Sequence, residues 1–339
     1  MSEICLLTGA TGFIGGHLAR RLVESGRHVR ALARPTSDTG DLERLGAEVA
    51  PGDLSDPVSI ARAASGATHI VHCGALVSDW ATVPEIRRIN VEGTRHVLEA
   101  ALRAGVTRVV HFSSTDVYGH PNRPVDESHA PSRFSNWYSR TKLEAESEVR
   151  RASSAGAIEA VILRPATIYG PGSVGVVGEI GKAVRARSML LIDRGRAVAG
   201  LCYIDNLVDA AMLALTQEAA AGRTFNVTDG LEVSWSRFVR DLAHGLGSPP
   251  PRFSLPYPVA RGLGRAMEQS YRLLRTATGL HTPPLLSRQA VDVMGRDQSF
   301  SNARLRECLG WEPRVGYEQG LTDTLAWLIA WLHPPAMPS

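Results

Sequence analysis

A short apolar segment, a glycine-rich turn and a helical pattern follow one another within the first 26 residues. Residues 4–7 are apolar enough for a buried strand, and Thr-Gly-Ala-Thr-Gly-Phe-Ile-Gly occupies positions 8–15. Apolar residues then recur at helical spacing until Gly26, which favours a helix end. Glycine spacing alone also occurs in ordinary strand-to-helix turns, but the flanking strand and helix favour a dinucleotide-binding α/β fold.

Each glycine of this turn has a physical role. Gly9 permits the tight turn, Gly12 lacks a side chain where a pyrophosphate approaches the backbone, and Gly15 lets the helix lie close to the strand. Free amides at the start of the helix then face the phosphates. The residues predicted to bind the cofactor here are Gly9, Thr11, Gly12, Phe13, Ile14 and Gly15.

Composition excludes several classes of protein. The chain is 44% hydrophobic and 21% charged, which is typical of a globular protein, and its net charge of +3 with no basic run gives no reason to expect a nucleic-acid partner. The four cysteines have no metal-binding or redox spacing. With no apolar run long enough to span a bilayer and no room for a signal peptide before the first strand, we expect a cytoplasmic protein.

Strands and helices are predicted to alternate along the chain. The predicted strands after the first are His28–Ala33, residues 47–50, residues 69–72, Arg108–Phe112, residues 159–163 and residues 225–227. This order implies a doubly wound parallel sheet of the Rossmann type. We expect residues 1–170 and 200–229 to form the dinucleotide-binding domain. Residues 171–199 and 230–334 are expected to form a smaller, mostly C-terminal α/β domain for the substrate.

Ligands of such sheets bind outside the carboxyl ends of the strands. The second strand ends without a carboxylate, and Arg34 and Ser37 follow it. This favours NADP(H), whose 2′-phosphate an arginine can hold, over NAD(H), although Arg34 can also be a solvated loop residue. Asp53 either accepts a hydrogen bond from adenine or caps the next helix. Other predicted cofactor contacts at strand ends are Leu54, Cys73, Gly74 and Ala75.

A tyrosine and a lysine carry the predicted chemistry. Tyr138 and Lys142 are four residues apart in a predicted helix over residues 136–150, so they share one face. A nearby ammonium group lowers the pKa of a phenol, and Tyr138 can then exchange a proton with a carbonyl or alcohol oxygen. Ser114 can hydrogen-bond the same oxygen. A surface pair without chemistry is disfavoured by the position of this helix after the fifth strand.

Over most of its length the chain resembles the extended short-chain dehydrogenase/reductase family, within the epimerase/dehydratase superfamily. Besides the glycine turn and the Tyr-Lys pair, the matching motifs are Ser114 before residues 117–119, Arg164-Pro165 before residues 169–172, and residues 309–313. Residues 203–207, Tyr-Ile-Asp-Asn-Leu, are most similar to the 3β-hydroxysteroid dehydrogenase branch.

The resemblance implies roles for individual residues. Ser114, Tyr138 and Lys142 form the catalytic set, and Lys142 also holds the nicotinamide ribose. Asn90 lies near the active site and supports a water relay to Lys142, while Pro165 lines the nicotinamide. Family members often dimerise through the helices predicted here over residues 85–104 and 136–150, so the resemblance implies a homodimer.

The expected substrate is a small apolar molecule. Relatives that act on nucleotide sugars usually have a diphosphate-binding arginine where this chain has Ala199, and often an asparagine where it has Thr167. Arg194 and Arg196 can substitute for the missing cation. The residues predicted to contact substrate are Asp79, Trp80, Thr115, Asp116, Trp137, Thr167 and Tyr203.

Three functions remain open from the sequence. The first is an NAD(P)-dependent oxidoreductase that interconverts a ketone and a secondary alcohol on a steroid, a polyketide or an alkyl keto acid. The second is a nucleotide-sugar epimerase or dehydratase with tightly held NAD. The third is a dinucleotide sensor, which the intact catalytic set disfavours. A basic amphipathic helix over residues 259–276 is predicted to be a lid rather than a membrane-surface helix.

Overall fold

A parallel β-sheet forms the centre of the molecule. The computed structural model of the chain describes residues 3–78, 80–120, 123–131, 136–154, 156, 158–278 and 286–333. Within these ranges, seven parallel strands lie in the order β3-β2-β1-β4-β5-β6-β10. They are β1 Ile4–Thr8, β2 His28–Ala33, β3 Glu48–Pro51, β4 Ala67–His72, β5 Arg108–Phe112, β6 Glu159–Pro165 and β10 Thr224–Val227.

Helices connect these strands and cover both faces of the sheet. They are α1 Phe13–Glu24, α2 Gly40–Arg44, α3 Pro57–Ala64, α4 Val83–Arg87, α5 Gly93–Ala104, α6 Trp137–Ser154, α7 Glu179–Arg185, α8 Ile204–Thr216, α9 Trp235–Gly245, α10 Tyr257–Thr278, α11 Arg288–Gly295, α12 Ala303–Leu309 and α13 Tyr317–Leu332. Strands β7 Thr167–Tyr169 and β9 Leu201–Tyr203 pair in parallel, as do β8 Leu190–Ile192 and β11 Phe253–Leu255.

Strand residues are apolar on both faces because both faces are covered. In β1, Leu6 and Leu7 point to opposite sides of the sheet and both are fully buried. Leu7 lies in a core cluster with residues of α1 and α8, and Leu6 lies in a second cluster with residues of α3 and α5. This arrangement confirms the predicted doubly wound α/β fold, while the division into two domains stays a prediction.

Two segments depart from the predicted elements. The helix predicted over residues 85–104 contains a π-helical turn at Arg88–Glu92, between α4 and α5. The glycine-rich segment over residues 170–178, for which the sequence predicts no helix, is helical from residue 174, where a second π-helical turn leads into α7. A Cβ atom at Gly178 would lie 3.1 Å from the ring of Trp331. Glycine at this position therefore serves close helix packing rather than flexibility.

Helix α10 packs against the loop that follows β4. The rings of Trp80 and Tyr271 lie 6.1 Å apart, edge to face, and Arg275 donates a hydrogen bond to the Trp80 carbonyl oxygen at 2.8 Å. Glu268 on the same helix pairs with Arg288 at 2.7 Å. None of the helices in the described ranges combines the length and the apolar character that a membrane span needs.

A buried ion pair ties α6 to the sheet. The guanidinium of Arg164 on β6 donates to both carboxylate oxygens of Glu146 at 2.7 and 2.6 Å, and to the Tyr118 hydroxyl at 2.6 Å. Arg164 and Glu146 are both buried. A charge left alone at this depth is costly because water cannot solvate it. The pair therefore fixes the helix that carries Tyr138 and Lys142 against the sheet.

We predict that Arg164→Met lowers the free energy of unfolding by about 3–5 kcal/mol, because Glu146 stays buried without its bidentate partner. Chemical denaturation measures the loss. Arg151→Met is the control, since the exposed Arg151 on the same helix pairs with Glu148, and its loss is expected to cost under about 1 kcal/mol. The double variant Arg164→Met/Glu146→Leu should recover most of the loss. A loss in the single variant no larger than that of the control would contradict this role.

Candidate active site

The glycine turn brings three backbone segments into direct contact. Gly9 has a φ of +72°, which glycine adopts without strain. A Cβ atom at Gly15 would lie 2.0 Å from the Gly9 carbonyl oxygen, and one at Gly9 would lie 2.7 Å from the Gly74 amide nitrogen. Real Cβ atoms cannot approach so closely, so the end of β1, the start of α1 and the end of β4 meet only because these residues are glycines.

A cavity of about 660 Å³ opens at the carboxyl ends of the central strands. It runs from the glycine turn past the ends of β2, β4 and β5 to β7 and α9. The sequence-predicted residues that line it are Gly9, Thr11, Gly12, Phe13, Ile14, Gly15, Arg34, Ser37, Asp53, Leu54, Cys73, Gly74, Ala75, Ser114, Thr115, Asp116, Tyr138, Pro165 and Thr167. The structure thus brings most of the predicted site residues together around one space.

The end of this cavity beside the turn fits a dinucleotide. The first amides of α1 have no partner within the helix and lie where Gly12, Phe13 and Ile14 line the cavity. Side chains at the glycine positions would fill this end of the cavity, which we call the dinucleotide cradle. A phosphate there would accept hydrogen bonds from backbone amides and gain from the positive end of the helix dipole.

Asp53 is held beside the same end of the cavity, and it does not cap a helix. Burial raises the Asp53 pKa, but hydrogen bonds from Ser55 and the charge of Arg34 outweigh that effect and hold the pKa below its usual value. Ser55 donates to Asp53 through its backbone amide at 2.8 Å and its hydroxyl at 2.6 Å. The cap of α3 is Asp56, which accepts from the Val58 amide at 3.0 Å. The capping alternative for Asp53 is therefore wrong.

Ser114 and Tyr138 meet at the middle of the cavity. Ser114 ends the segment after β5, and its hydroxyl accepts a hydrogen bond from the Asp116 amide at 3.1 Å. Burial raises the pKa of the Tyr138 phenol and the Asp116 carboxylate raises it further, while a hydrogen bond with Ser114 opposes both effects. The prediction that a neighbouring ammonium lowers this pKa is wrong for the protein without ligands, because desolvation dominates.

Lys142 lies below the cavity and does not line it. Its side chain is 3% exposed, and its ammonium group donates to the Phe112 carbonyl oxygen at the end of β5. Burial lowers the Lys142 pKa to about 8, against the opposing effect of Glu146. The charge of Lys142 in turn helps to lower the pKa values of His72 and His111, although burial is the larger cause. Lys142 is thus a poorly solvated cation directly behind the end of β5.

Asn90 occupies the π-helical turn and positions the loop after β4. Its carbonyl oxygen accepts from the Leu76 amide at 2.7 Å, and its amide group donates to the Leu76 carbonyl at 3.1 Å and to the Thr141 hydroxyl at 3.2 Å. Thr141 precedes Lys142 on α6. Asn90 is buried and does not line the cavity. It therefore joins the cavity loop to α6.

The three aromatic residues predicted to contact substrate lie outside the described cavity lining. Tyr203 is 2% exposed, stacks edge to face on Tyr169 with ring centres 5.3 Å apart, and donates to Asp323 at 3.2 Å. Trp80 contacts α10, and Trp137 lies under the guanidinium of Arg140. None of these three residues is part of the described cavity lining. The sequence placed them at element ends but could not show which way those ends face.

The remaining predicted substrate contacts have different outcomes. Thr115 lines the cavity, but its hydroxyl donates to the Pro165 carbonyl oxygen at 3.3 Å. Thr167 and Asp116 also line the cavity. Asp79 lies outside the described residues.

Sequence reasoning missed the far end of the cavity, beyond Ser114. Residues that line this end or the adjacent loop are Leu76, Val77, Ile89, Ile168, Val176, Trp235, Val293 and Gln298. Most are apolar and come from segments far apart in the chain. The Trp235 ring nitrogen donates to the Val293 carbonyl at 3.0 Å, which joins α9 to α11. Nothing in their local pattern distinguishes them from ordinary core residues.

Comparison with known proteins places the chain among nicotinamide-dependent enzymes. A family model described as "NAD dependent epimerase/dehydratase family" matches residues 5–228. The chain is 32% identical over 318 residues to a 4-hydroxy-2-methyl-3-oxo-4-farnesyl-3,4-dihydroquinoline-1-oxide ketoreductase of Stigmatella aurantiaca, with 93% of each chain covered. It is 30% identical over 325 residues to a 2-alkyl-3-oxoalkanoate reductase of Stenotrophomonas maltophilia, with 93% of this chain and 96% of that protein covered.

Other similar proteins represent the steroid and sugar branches. A 3β-hydroxysteroid dehydrogenase/Δ5→4-isomerase of Mycobacterium tuberculosis is 28% identical over 340 residues, with 96% of this chain and 90% of that protein covered. The solved structure of MoeE5 in complex with UDP-glucose and NAD has a TM-score of 0.77 and 26% identity, covering 97% of this chain and 99% of that one. These similarities confirm the predicted resemblance.

We predict that the buried charge of Lys142 destabilises the fold near neutral pH. A lysine whose folded-state pKa is about 8 instead of 10.5 binds fewer protons when folded, so the wild type gains stability as pH rises through that interval. Relative to wild type, Lys142→Met should lose about 2–3 kcal/mol of unfolding free energy between about pH 7 and about pH 10.

Denaturation curves at several pH values measure this difference. The matched control is Lys182→Met, because Lys182 is the second of two lysines in the sequence and is exposed. Its difference from wild type should stay constant across the same pH range. Parallel pH profiles for the Lys142→Met variant and the wild type would contradict the lowered pKa.

Proposed function

Because the chain belongs to the NAD-dependent epimerase/dehydratase family, we propose that it interconverts a ketone and a secondary alcohol on an apolar substrate. Membership makes it an NAD-dependent enzyme of the extended short-chain dehydrogenase/reductase type. The observation that carries the proposal is one cavity in which Ser114 and Tyr138 stand between a dinucleotide cradle and an apolar far end. The proposed cofactor, when bound, supplies or accepts the hydride.

Ser114 and Tyr138 hold the reacting oxygen in this proposal. Both residues line the cavity and their hydroxyls lie within hydrogen-bonding reach of each other, so in this proposal a carbonyl oxygen accepts from both. Burial keeps the Tyr138 phenol protonated, and it can therefore donate its proton as negative charge develops on the oxygen. Lys142 lies four residues further along the same helix, with its ammonium group buried behind the cavity. The residues thus suit ketone reduction.

The charge of the cavity supports an apolar substrate. Among the described residues that line it, Arg34 is the one cationic side chain, and it lies beside Asp53 at the cofactor end. Arg194 and Arg196 are not among the residues that line the described cavity. A diphosphate would need several cationic or amide donors at the far end. Ile168, Val176 and Trp235 there suit hydrocarbon instead.

A nucleotide-sugar epimerase or dehydratase is the second candidate function. It is favoured by the similarity in fold and sequence to MoeE5, whose structure contains UDP-glucose and NAD. Such an enzyme would keep its cofactor through purification and show no net redox change. A screen of steroid, polyketide-like and long-chain ketones for NADPH oxidation, beside calorimetry with uridine and thymidine diphosphates, separates the two candidates. Micromolar binding of a nucleoside diphosphate without reduction of any ketone would favour the second.

We predict that Tyr138→Phe lowers kcat by about 10²- to 10⁴-fold, because the variant has no proton to donate to the reacting oxygen. Dinucleotide affinity, measured by fluorescence titration, should change little. Tyr271→Phe is the matched control, since it removes a hydroxyl on α10 outside the described cavity lining. Wild-type turnover by Tyr138→Phe would exclude the proposed acid.

We predict a preference for NADP(H) over NAD(H). Residue Ala33 at the end of β2 offers no carboxylate to a ribose hydroxyl, and Arg34 lines the cavity beside it. Arg34→Ala should weaken NADPH binding by about 10- to 100-fold and NADH binding much less. Arg44→Ala, which removes an exposed arginine on α2, is the control. Equal losses for both cofactors would make Arg34 an ordinary loop residue.

A further inference from the structure

Asp116 places a carboxyl group beside the reacting centre. It lines the cavity two residues after Ser114 and is close enough to raise the pKa of the Tyr138 phenol by its charge. Its backbone amide donates to the Ser114 hydroxyl, and the residue is half-buried. Any substrate whose carbonyl oxygen lies between Ser114 and Tyr138 therefore brings neighbouring atoms near this carboxyl.

The carboxyl is held in place by a residue of α11. Gln289 on α11 donates from its amide group to Oδ2 of Asp116 at 2.9 Å, and Asn136 donates to the Gln289 carbonyl oxygen. Asn136 also accepts from the Ser139 amide at 2.7 Å, at the start of α6. One hydrogen-bonded chain thus fixes Asp116 relative to the helix that carries Tyr138. In the described parts of the chain, no residue donates to Oδ1 of Asp116.

The chemistry of an acceptor oxygen in this position restricts the substrate. A hydroxyl or amino group on the carbon next to the reacting carbonyl can donate to Oδ1 and replace the water lost on binding. A hydrocarbon group there would desolvate the carboxyl without compensation. Burial raises the pKa of the Asp116 carboxyl, and a substrate carboxylate beside it would raise that pKa further by repulsion of like charges. Thr115 cannot relieve either cost, because its hydroxyl is bound to the Pro165 carbonyl.

We propose that Asp116 is a specificity-determining residue that binds a hydrogen-bond donor next to the reacting carbonyl, so that the substrates are hydroxy ketones rather than keto acids. This inference rests on the proposed ketone reduction and narrows its substrate class. The far end of the cavity still receives the hydrocarbon part of the molecule.

Matched ketones test the inference with the wild-type enzyme. Benzoin and deoxybenzoin differ by one hydroxyl next to the carbonyl, as do butyroin and the corresponding octanone. With NADPH oxidation as the assay, we expect kcat/KM to be about 10- to 100-fold higher for each hydroxy ketone, the usual effect of one hydrogen bond to a charged group. A β-keto acid should be reduced more slowly than its methyl ester, which has no charge.

Variants assign this preference to Asp116. Asp116→Asn and Asp116→Ala should each bring the ratio between hydroxy ketone and parent ketone close to one and raise the relative rate on the β-keto acid. Asp41→Asn, the same change at an exposed site on α2, should leave every ratio unchanged. Thermal melting and NADPH titration identify a variant that does not fold. In that case the kcat/KM ratios between hydroxy ketone and parent ketone, measured with the wild-type enzyme, test the inference without the variants.

The outcomes separate this inference from the proposal beneath it. Ketone reduction with no preference for hydroxy ketones would overturn the role of Asp116 and leave the proposed function intact. A preference that survives both Asp116 variants would also overturn it. Failure to reduce any of these compounds would overturn the proposed function, and the inference with it.

Discussion

The contact between Gly9, Gly15 and Gly74 is the constraint on which the site depends. It allows the ends of β1 and β4 and the start of α1 to approach to distances that no side chain permits. The backbone amides of the turn are therefore exposed at the floor of a cavity instead of being covered by side chains. A bulkier residue at any of these positions would separate the strands from the helix and displace the floor.

Above this floor, the chain uses burial to set the chemistry of its polar groups. The Tyr138 phenol is kept protonated by desolvation and by a nearby carboxylate, while desolvation makes Lys142 a weaker base than a solvated lysine. The lowered pKa of Lys142 costs stability near neutral pH, because its ammonium group would be better solvated in the unfolded chain. The ion pair between Arg164 and Glu146 fixes the helix that carries them, so the polar groups cannot relax towards water.

Local patterns predicted the parts of the site whose geometry is local. The glycine turn and the spacing of Tyr138 and Lys142 each lie within one or two elements, so the sequence determines their relative positions. Tyr203 and Trp235 show what such local patterns cannot predict. Both are aromatic residues next to helix starts and both are buried in the same core, yet Trp235 is part of the described cavity lining and Tyr203 is not. The difference arises from contacts between segments far apart in the chain, which periodicity cannot show.

The π-helical turn at Arg88–Glu92 has a consequence for how this chain can change over evolution. Such a turn accommodates one residue more than an α-helical turn, while the flanking helices keep their buried faces. Asn90 lies in this widened turn and reaches both Leu76 and Thr141. A one-residue insertion into an existing helix is thus a simple way to gain a residue placed as Asn90 is. It adds a polar contact at the site without a new loop. Its loss by deletion would leave a regular helix and an unsupported cavity loop.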